Sequence, residues 1–231
     1  MKKSWLYLYL GFLSLVLAGC DAQSASPVTA TKVVGGLDHP WSMAFLPENE
    51  VLITERGGSL RSVKKGKLSG PIVGVPKVFA QGQGGLLGIA AHPQFSENRL
   101  IYLAYSGAGK GGASTELVRA KYQQGKLSNL QKLFVALPKV DSAHHFGGRL
   151  LFDKQGYLYL TLGERGQQDL AQDISNHAGS VIRIKDDGSV PDSNPFKNTA
   201  GAKPEIYTYG HRNVQGIALN PTTGQVWTHE H

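Results

Sequence analysis

Four times along the chain a short apolar segment runs into a turn and is followed by a second segment rich in β-forming residues. The pairs are Met43–Pro47 with Val51–Thr54, and Ile89–Pro93 with Leu100–Leu103. They continue with Leu150–Asp153 and Tyr157–Thr161, then Ile217–Pro221 and Val226–Thr228. A third strand follows in Leu60–Val63, Glu116–Ala120 and Val181–Ile184, the last closing on Asp186-Asp187-Gly188. No long segment carries the 3.6-residue period of an amphipathic helix, and the 29 glycines suit a fold of many tight turns. Pro47, Pro93, Lys154 and Pro221 mark equivalent turns, 46, 61 and 67 residues apart. The first step matches a propeller blade of about 40–50 residues, and the longer two call for insertions. The pattern predicts an all-β fold, a β-propeller, with a two-sheet sandwich as the competing architecture.

Three blades and the start of a fourth do not close a ring, since propellers typically have about 4–8 blades. The chain also stops within an apolar-polar run, Gln225–His231, that reads as strand. The expectation is therefore an incomplete β-propeller over residues 33–231, about three and a half blades, forming the N-terminal portion of a longer protein.

The first residues read as an address. Lys2 and Lys3 precede a mostly apolar run from Trp5 to Ala18, then Gly19 and Cys20. That is the layout of a signal peptide, too short for a membrane span of about 20 residues. Leu17-Ala18-Gly19-Cys20 resembles the bacterial lipobox, in which the cysteine is acylated. Residues 1–19 are thus expected to be a lipoprotein signal peptide, with residues 20–32 a flexible tether. Cys20 would be the lipidation site of an exported cell-envelope or periplasmic protein, held to the membrane by its lipid anchor only. As the chain's single cysteine, it leaves no internal disulfide framework.

The formal charge of +7, from 24 Lys+Arg against 17 Asp+Glu, raises the question of nucleic acid. Loss of Lys2 and Lys3 with the signal leaves 22 against 17, a scattered +5. The densest basic cluster, Lys64, Lys65 and Lys67 around Gly66, reads as a solvated hairpin tip. No recognition element accompanies it, so a nucleic-acid partner is excluded.

Gly107-Ala108-Gly109-Lys110-Gly111-Gly112 matches G-x-G-x-x-G, but a strand rather than a helix follows, so it reads as a flexible loop. No G-x-S-x-G elbow, P-loop or H-E-x-x-H occurs, which argues against serine hydrolases, NTPases and zincins. His144-His145-Phe146-Gly147-Gly148-Arg149 ends a long loop directly before a strand. Glu164 lies at the end of the paired strand, where its carboxylate could orient an imidazole; a surface ion pair with Arg165 is the plainer alternative. Gly210-His211-Arg212-Asn213 and Gly82-Gln83-Gly84-Gly85 are further polar loops, each leading into a blade's first strand. Arg212 could stabilise developing negative charge and Asn213 could hold a polar edge, though both suit a network that satisfies backbone groups. In a propeller, three such loops converge at one end and make a polar pocket.

Together these segments resemble the soluble PQQ-dependent glucose/aldose sugar dehydrogenases. The similar stretches are His39-Pro40-Trp41-Ser42-Met43-Ala44-Phe45, Gly85–Gly88 with His92-Pro93, His145 with Gly148-Arg149-Leu150, Gly188–Pro191 with Asn194-Pro195, and Tyr209–Asn213 with Gln215-Gly216. The resemblance implies a six-bladed propeller holding pyrroloquinoline quinone (PQQ) and calcium at one end of its channel. It implies an oxidoreductase acting on the C1 hydroxyl of aldose sugars, with hydride passing to PQQ and lactones as products. His145 falls on the general base, Glu164 on an acid that orients it (Asp being the closer match), and Arg212 and Asn213 on positions contacting the quinone. Gln83 falls beside the reactive edge, and His144 stands where the glucose enzyme has an acid. The resemblance places the calcium ligands and the cations for the cofactor's carboxylates after His231. The chain is therefore expected to carry the base without the whole cofactor clamp, and to be inactive alone. A sugar-lactone hydrolase and a non-catalytic envelope interaction propeller are the rival readings. The sequence names neither the electron acceptor nor the sugar.

Overall fold

Alternating apolar residues dictate the architecture. In a middle strand such as Leu100–Gly109, the odd residues Ile101, Leu103 and Tyr105 join one apolar cluster, and the even residues Tyr102 and Ala104 join another. A strand buried on both faces needs a sheet on each side, and radial stacking of sheets supplies it.

The computed structural model describes residues 28–231; the expected signal peptide and Cys20 lie outside the described residues. Residues 28–32 contain no helix or strand. From Val33 onward the chain forms one unit, a β-propeller built of antiparallel sheets. The first sheet is β1 (Pro40–Leu46), β2 (Glu50–Glu55), β3 (Ser59–Lys64) and β4 (Lys67–Leu68), in sequential order. The second is β5 (Leu86–Ala91), β6 (Leu100–Gly109), β7 (Gly112–Gln123) and β8 (Lys126–Val135). The third is β9 (Leu150–Phe152), β10 (Leu158–Thr161), β11 (Val181–Ile184) and β12 (Ile206–Thr208). A hairpin of β13 (Val214–Leu219) and β14 (Val226–Glu230) begins a fourth. The innermost strands pack in succession, β1 on β5, β5 on β9 and β9 on β13. The expected three and a half blades are present. A four-residue helix, α1 (Phe95–Asn98), caps the turn before β6.

Each gap between blades is filled by a separate cluster. Leu52, Leu60, Ile101, Leu103 and Tyr105 fill the first, and Tyr102, Leu117, Leu158, Leu160 and Ile182 the second. Tyr159, Val181 and Val214 occupy the third. A repeated hydroxyl device ties the inner ends together. Thr54 on β2 accepts the Ser42 N–H at 3.0 Å and donates to the Leu87 carbonyl of the next blade at 2.7 Å. Thr161 on β10 does the same, accepting from Arg149 N–H at 2.9 Å and donating to the Val214 carbonyl at 3.1 Å. Both threonines are fully buried.

Three readings from the sequence are corrected. The glycine run at 107–112 is not a loop: Gly109 pairs with Gly112, so it is the end of β6, a turn at Lys110-Gly111 and the start of β7. The extra length of the second step lies partly in long strands, of 10, 12 and 10 residues, rather than in insertions alone. Each of the three sheets has a fourth strand, and β8 had no signal because this edge strand is mostly polar and exposed. The lysine cluster is the expected hairpin tip, with Lys64 opposite Lys67 and the turn at Lys65-Gly66 in the left-handed region.

Replacing Thr161 by Val keeps shape but leaves the half-buried Arg149 N–H without its side-chain partner. The expected loss is about 1–3 kcal/mol of stability, read from urea unfolding with an unchanged m-value. No loss would show that the hydroxyl link is dispensable.

Candidate functional site

The loops leading into β5, β9 and β13 meet at one end of the inner strands, as the polar-loop argument anticipated. Gln83 sits in the first loop, where its N–H donates to the Ala143 carbonyl at 2.8 Å. Its Oε1 accepts the N–H of His145, also at 2.8 Å. His145 is held in the left-handed region at φ 55°, a conformation a non-glycine residue adopts only when its surroundings impose it. The loop lies hard against the chain after β10. A Cβ on Gly163 would stand 1.9 Å from the His145 carbonyl oxygen, so only glycine permits this approach. Gly147, at φ 60°, is closed in likewise by the backbone of Thr161 and Leu162.

That approach brings His145 Nδ1 to 2.5 Å from Glu164 Oε1. Glu164 is buried, and its other oxygen accepts the Gln167 N–H at 2.7 Å. With Nδ1 engaged, Nε2 of His145 has no hydrogen-bond partner among the described residues. A carboxylate on Nδ1 places the ring proton there and leaves Nε2 as the basic nitrogen. The alternative surface pairing of Glu164 with Arg165 is not what forms. The guanidinium of Arg165 turns away to stack on Phe146, 3.4 Å from the ring centroid.

The third loop closes the network from the other side. Gly163 and Asn213 form an antiparallel bridge, and Glu164 N–H donates to the Arg212 carbonyl at 2.9 Å. Asn213 is buried, its Oδ1 accepting from Gly147 N–H and from Gln215 Nε2, each at 3.0 Å. The backbone-satisfying role weighed for Asn213 is thus present. Arg212 contributes its backbone here while its side chain remains exposed. Glu230 on β14 holds this loop, its Oε2 accepting the N–H groups of Arg212 and Asn213 at 2.7 and 3.0 Å. Burial opposes the charge on Glu230. The Asn213 N–H, the His211 ring and the Arg212 N–H outweigh that effect and hold its carboxyl below the ordinary value.

Beside this network lies a cavity of about 200 Å³, lined by Trp41, Arg56, Gln83, Phe146, Gly147, Asn213, Gln215 and His231. Gln83 and Asn213 line it as anticipated. Arg56 was missed, although a signal existed: Glu55-Arg56-Gly57 at the end of β2 repeats as Glu164-Arg165-Gly166 just after β10. Arg149 was also missed as a contributor. Its guanidinium lies 3.7 Å from the Trp41 ring centroid and donates to the carbonyls of Gln215 and Trp41, joining β1, β9 and β13. Among the described residues, no three or more His, Cys, Asp or Glu side chains gather as a metal site.

The chain is 44% identical to the aldose sugar dehydrogenase YliI of Escherichia coli, over 95% of this chain and 61% of that protein. It therefore spans about three-fifths of the length of this curated relative. Solved structures agree. The soluble aldose sugar dehydrogenase of E. coli in its apo form matches at TM-score 0.82 and 45% identity, over 84% of this chain and 58% of that one. The PQQ-bound aldose sugar dehydrogenase of Streptomyces coelicolor matches at 0.73 and 31%, over 86% and 58%. The family model Glucose / Sorbosone dehydrogenase matches residues 37–231, and the chain belongs to that family.

Proposed function

We propose that this chain supplies the proton-abstracting half of an aldose dehydrogenase site, oxidising the C1 hydroxyl of an aldose to a lactone with PQQ as acceptor. The observation that carries the reading is the His145–Glu164 pair, with Nδ1 engaged and Nε2 without a hydrogen-bond partner among the described residues. The sugar dehydrogenase relatives and the PQQ-bound structure support the reaction class and the cofactor.

The cavity residues fit such a cofactor. Two aromatic rings (Trp41 and Phe146), three side-chain amides (Gln83, Asn213, Gln215) and the Arg56 guanidinium suit a planar, polyanionic quinone. These residues would hold it; Arg212, which does not line the cavity, is proposed as a further contact through its exposed side chain. When bound, PQQ supplies a two-electron acceptor for the hydride leaving C1. His145 Nε2 takes the proton of the C1 hydroxyl as the C1–O bond becomes a carbonyl. Glu164 keeps the ring in the productive tautomer and stabilises the imidazolium that forms. Gln83 holds the His145 backbone in place. No carboxylate cluster suits calcium among the described residues, so no step is assigned to it. Export and lipid anchoring through Cys20 belong to the same proposal, and a radiolabelled-palmitate experiment on Cys20→Ala would test them.

In a dye-linked aldose oxidation assay with added PQQ, run on a protein carrying this chain at its relatives' full length, His145→Ala should lower kcat by about 10²–10⁴-fold while leaving quinone binding intact. Turnover at the wild-type rate would remove His145 from the mechanism.

The carboxyl of Glu230 has its folded pKa lowered, so its contribution is present above the unfolded value and is lost as pH falls through the folded one. PQQ affinity, followed by tryptophan quenching, should weaken on acidification below the ordinary glutamate range. Glu230→Gln should show the same weakening at neutral pH. An affinity indifferent to both would disconnect this loop from the cofactor.

A further inference from the structure

Arg165 is the least satisfied charged residue among those described. It is 5% exposed, and neither Nε nor Nη1 has a hydrogen-bond partner. The cavity it lines, about 10 Å³, admits no more than one water molecule. Burial pushes its pKa down to about 10, against the pull of the neighbouring Glu164 charge. Glu164 itself is occupied by His145 and Gln167, so it does not serve as a hydrogen-bonded partner for the guanidinium. A cation buried with so little compensation opposes folding, and an apolar side chain of similar length would fill the same space.

What Arg165 does touch is informative. Its Nη2 donates to the carbonyl of Ser142, and its flat face lies 3.4 Å from the Phe146 ring centroid. Those two residues bracket His145, three before it and one after. Gln83 grips the His145 N–H from a different loop, and Thr115 donates to the Phe146 carbonyl at 2.5 Å. Arg165 adds a two-point hold on the same loop from the segment that carries Glu164. Only a planar guanidinium can stack on a ring and donate in its own plane together; an ammonium has no such face.

We propose that Arg165 is a positioning residue that clamps the Ser142–Phe146 loop onto the Glu164 segment and so sets the His145 imidazole against its carboxylate. The proposal rests on the reading of His145 as the base, but its test needs neither sugar nor quinone. The readout is the ring tautomer of His145, measured by ¹⁵N NMR at a pH where the ring is neutral, with His145→Ala used for assignment. In the unsubstituted chain the Nδ1–H form should dominate. In Arg165→Met the thermal midpoint should hold or rise, as a buried, poorly paired charge is removed. The Nε2–H form, which water favours, should nevertheless grow several-fold.

An unchanged tautomer in folded Arg165→Met would overturn the clamp. So would a fall in thermal midpoint accompanying the tautomer change, since that marks a structural role alone. If Arg165→Met fails to fold, Phe146→Leu decides, because it removes the stacking face from the other side. A tautomer shift there supports the clamp, and its absence refutes it. Aldose turnover that survives His145→Ala in a protein carrying this chain at its relatives' full length would sink the functional reading without altering these tautomer results.

Discussion

Sheets stacked face to face share no continuous hydrogen-bond ladder, only isolated backbone links such as Leu86 N–H to the Arg56 carbonyl and Glu164 N–H to the Arg212 carbonyl, so side chains must do much to set how one blade sits on the next. In this protein the buried hydroxyls of Thr54 and Thr161 do that at the inner end, each joining its own blade's first strand to the first strand of the following blade. Apolar contacts between blades are strong but tolerate sliding. A hydroxyl with one donor and one acceptor partner, both backbone, does not. The loops that begin the inner strands start from these tied points, so their mutual placement depends on them. Arg149, whose pKa burial lowers, adds a second tie across β1, β9 and β13.

On that frame the site is assembled almost entirely through backbone groups. Gln83, Asn213, Glu164 and Glu230 each accept at least one main-chain N–H from a neighbouring loop or turn. The arrangement converts polar side chains from three separate loops into one rigid network, in which two glycines, Gly147 and Gly163, allow the close approach. His145 stands at its centre in a backbone conformation it would not adopt alone. Preorganisation of this kind suits proton transfer, because the ring need not reorient when the proton moves. The same rigidity explains why Asn213 and Arg212 divide their roles. The buried amide of Asn213 both supports the loop and lines the cavity, whereas Arg212 supports it through the backbone and keeps its side chain exposed.

Legibility in the sequence followed burial. Strands sandwiched between blades, such as β6, β10 and β11, are mostly apolar and were readable. The edge strand β8 was not, because only a few of its side chains meet the core and its pattern is that of a solvated segment. The glycine run at 107–112 suggested mobility, yet cross-strand pairing continues into it, since hydrogen bonds to a partner strand need no side chain. His145, Glu164, Gln83 and Asn213 were recognisable as polar residues in loops leading into strands. Arg56 and Arg149 were not singled out, because an arginine at a strand end is ordinarily solvated and their carbonyl partners lie far away in sequence.

The sequence by itself determined the strand-and-turn repeat, the all-β class, the number of blade segments and the loops that hold the polar residues. These are local matters, set by alternation and turn chemistry within a few tens of residues. Tertiary structure alone decided that Glu164 pairs with His145 rather than with Arg165, and that Arg165 stacks beneath the same loop. Both outcomes depend on how closely the chain at Gly163 approaches the His145 carbonyl. That separation is set by the packing of whole blades, which sums contacts too distant in the chain for any local pattern to encode.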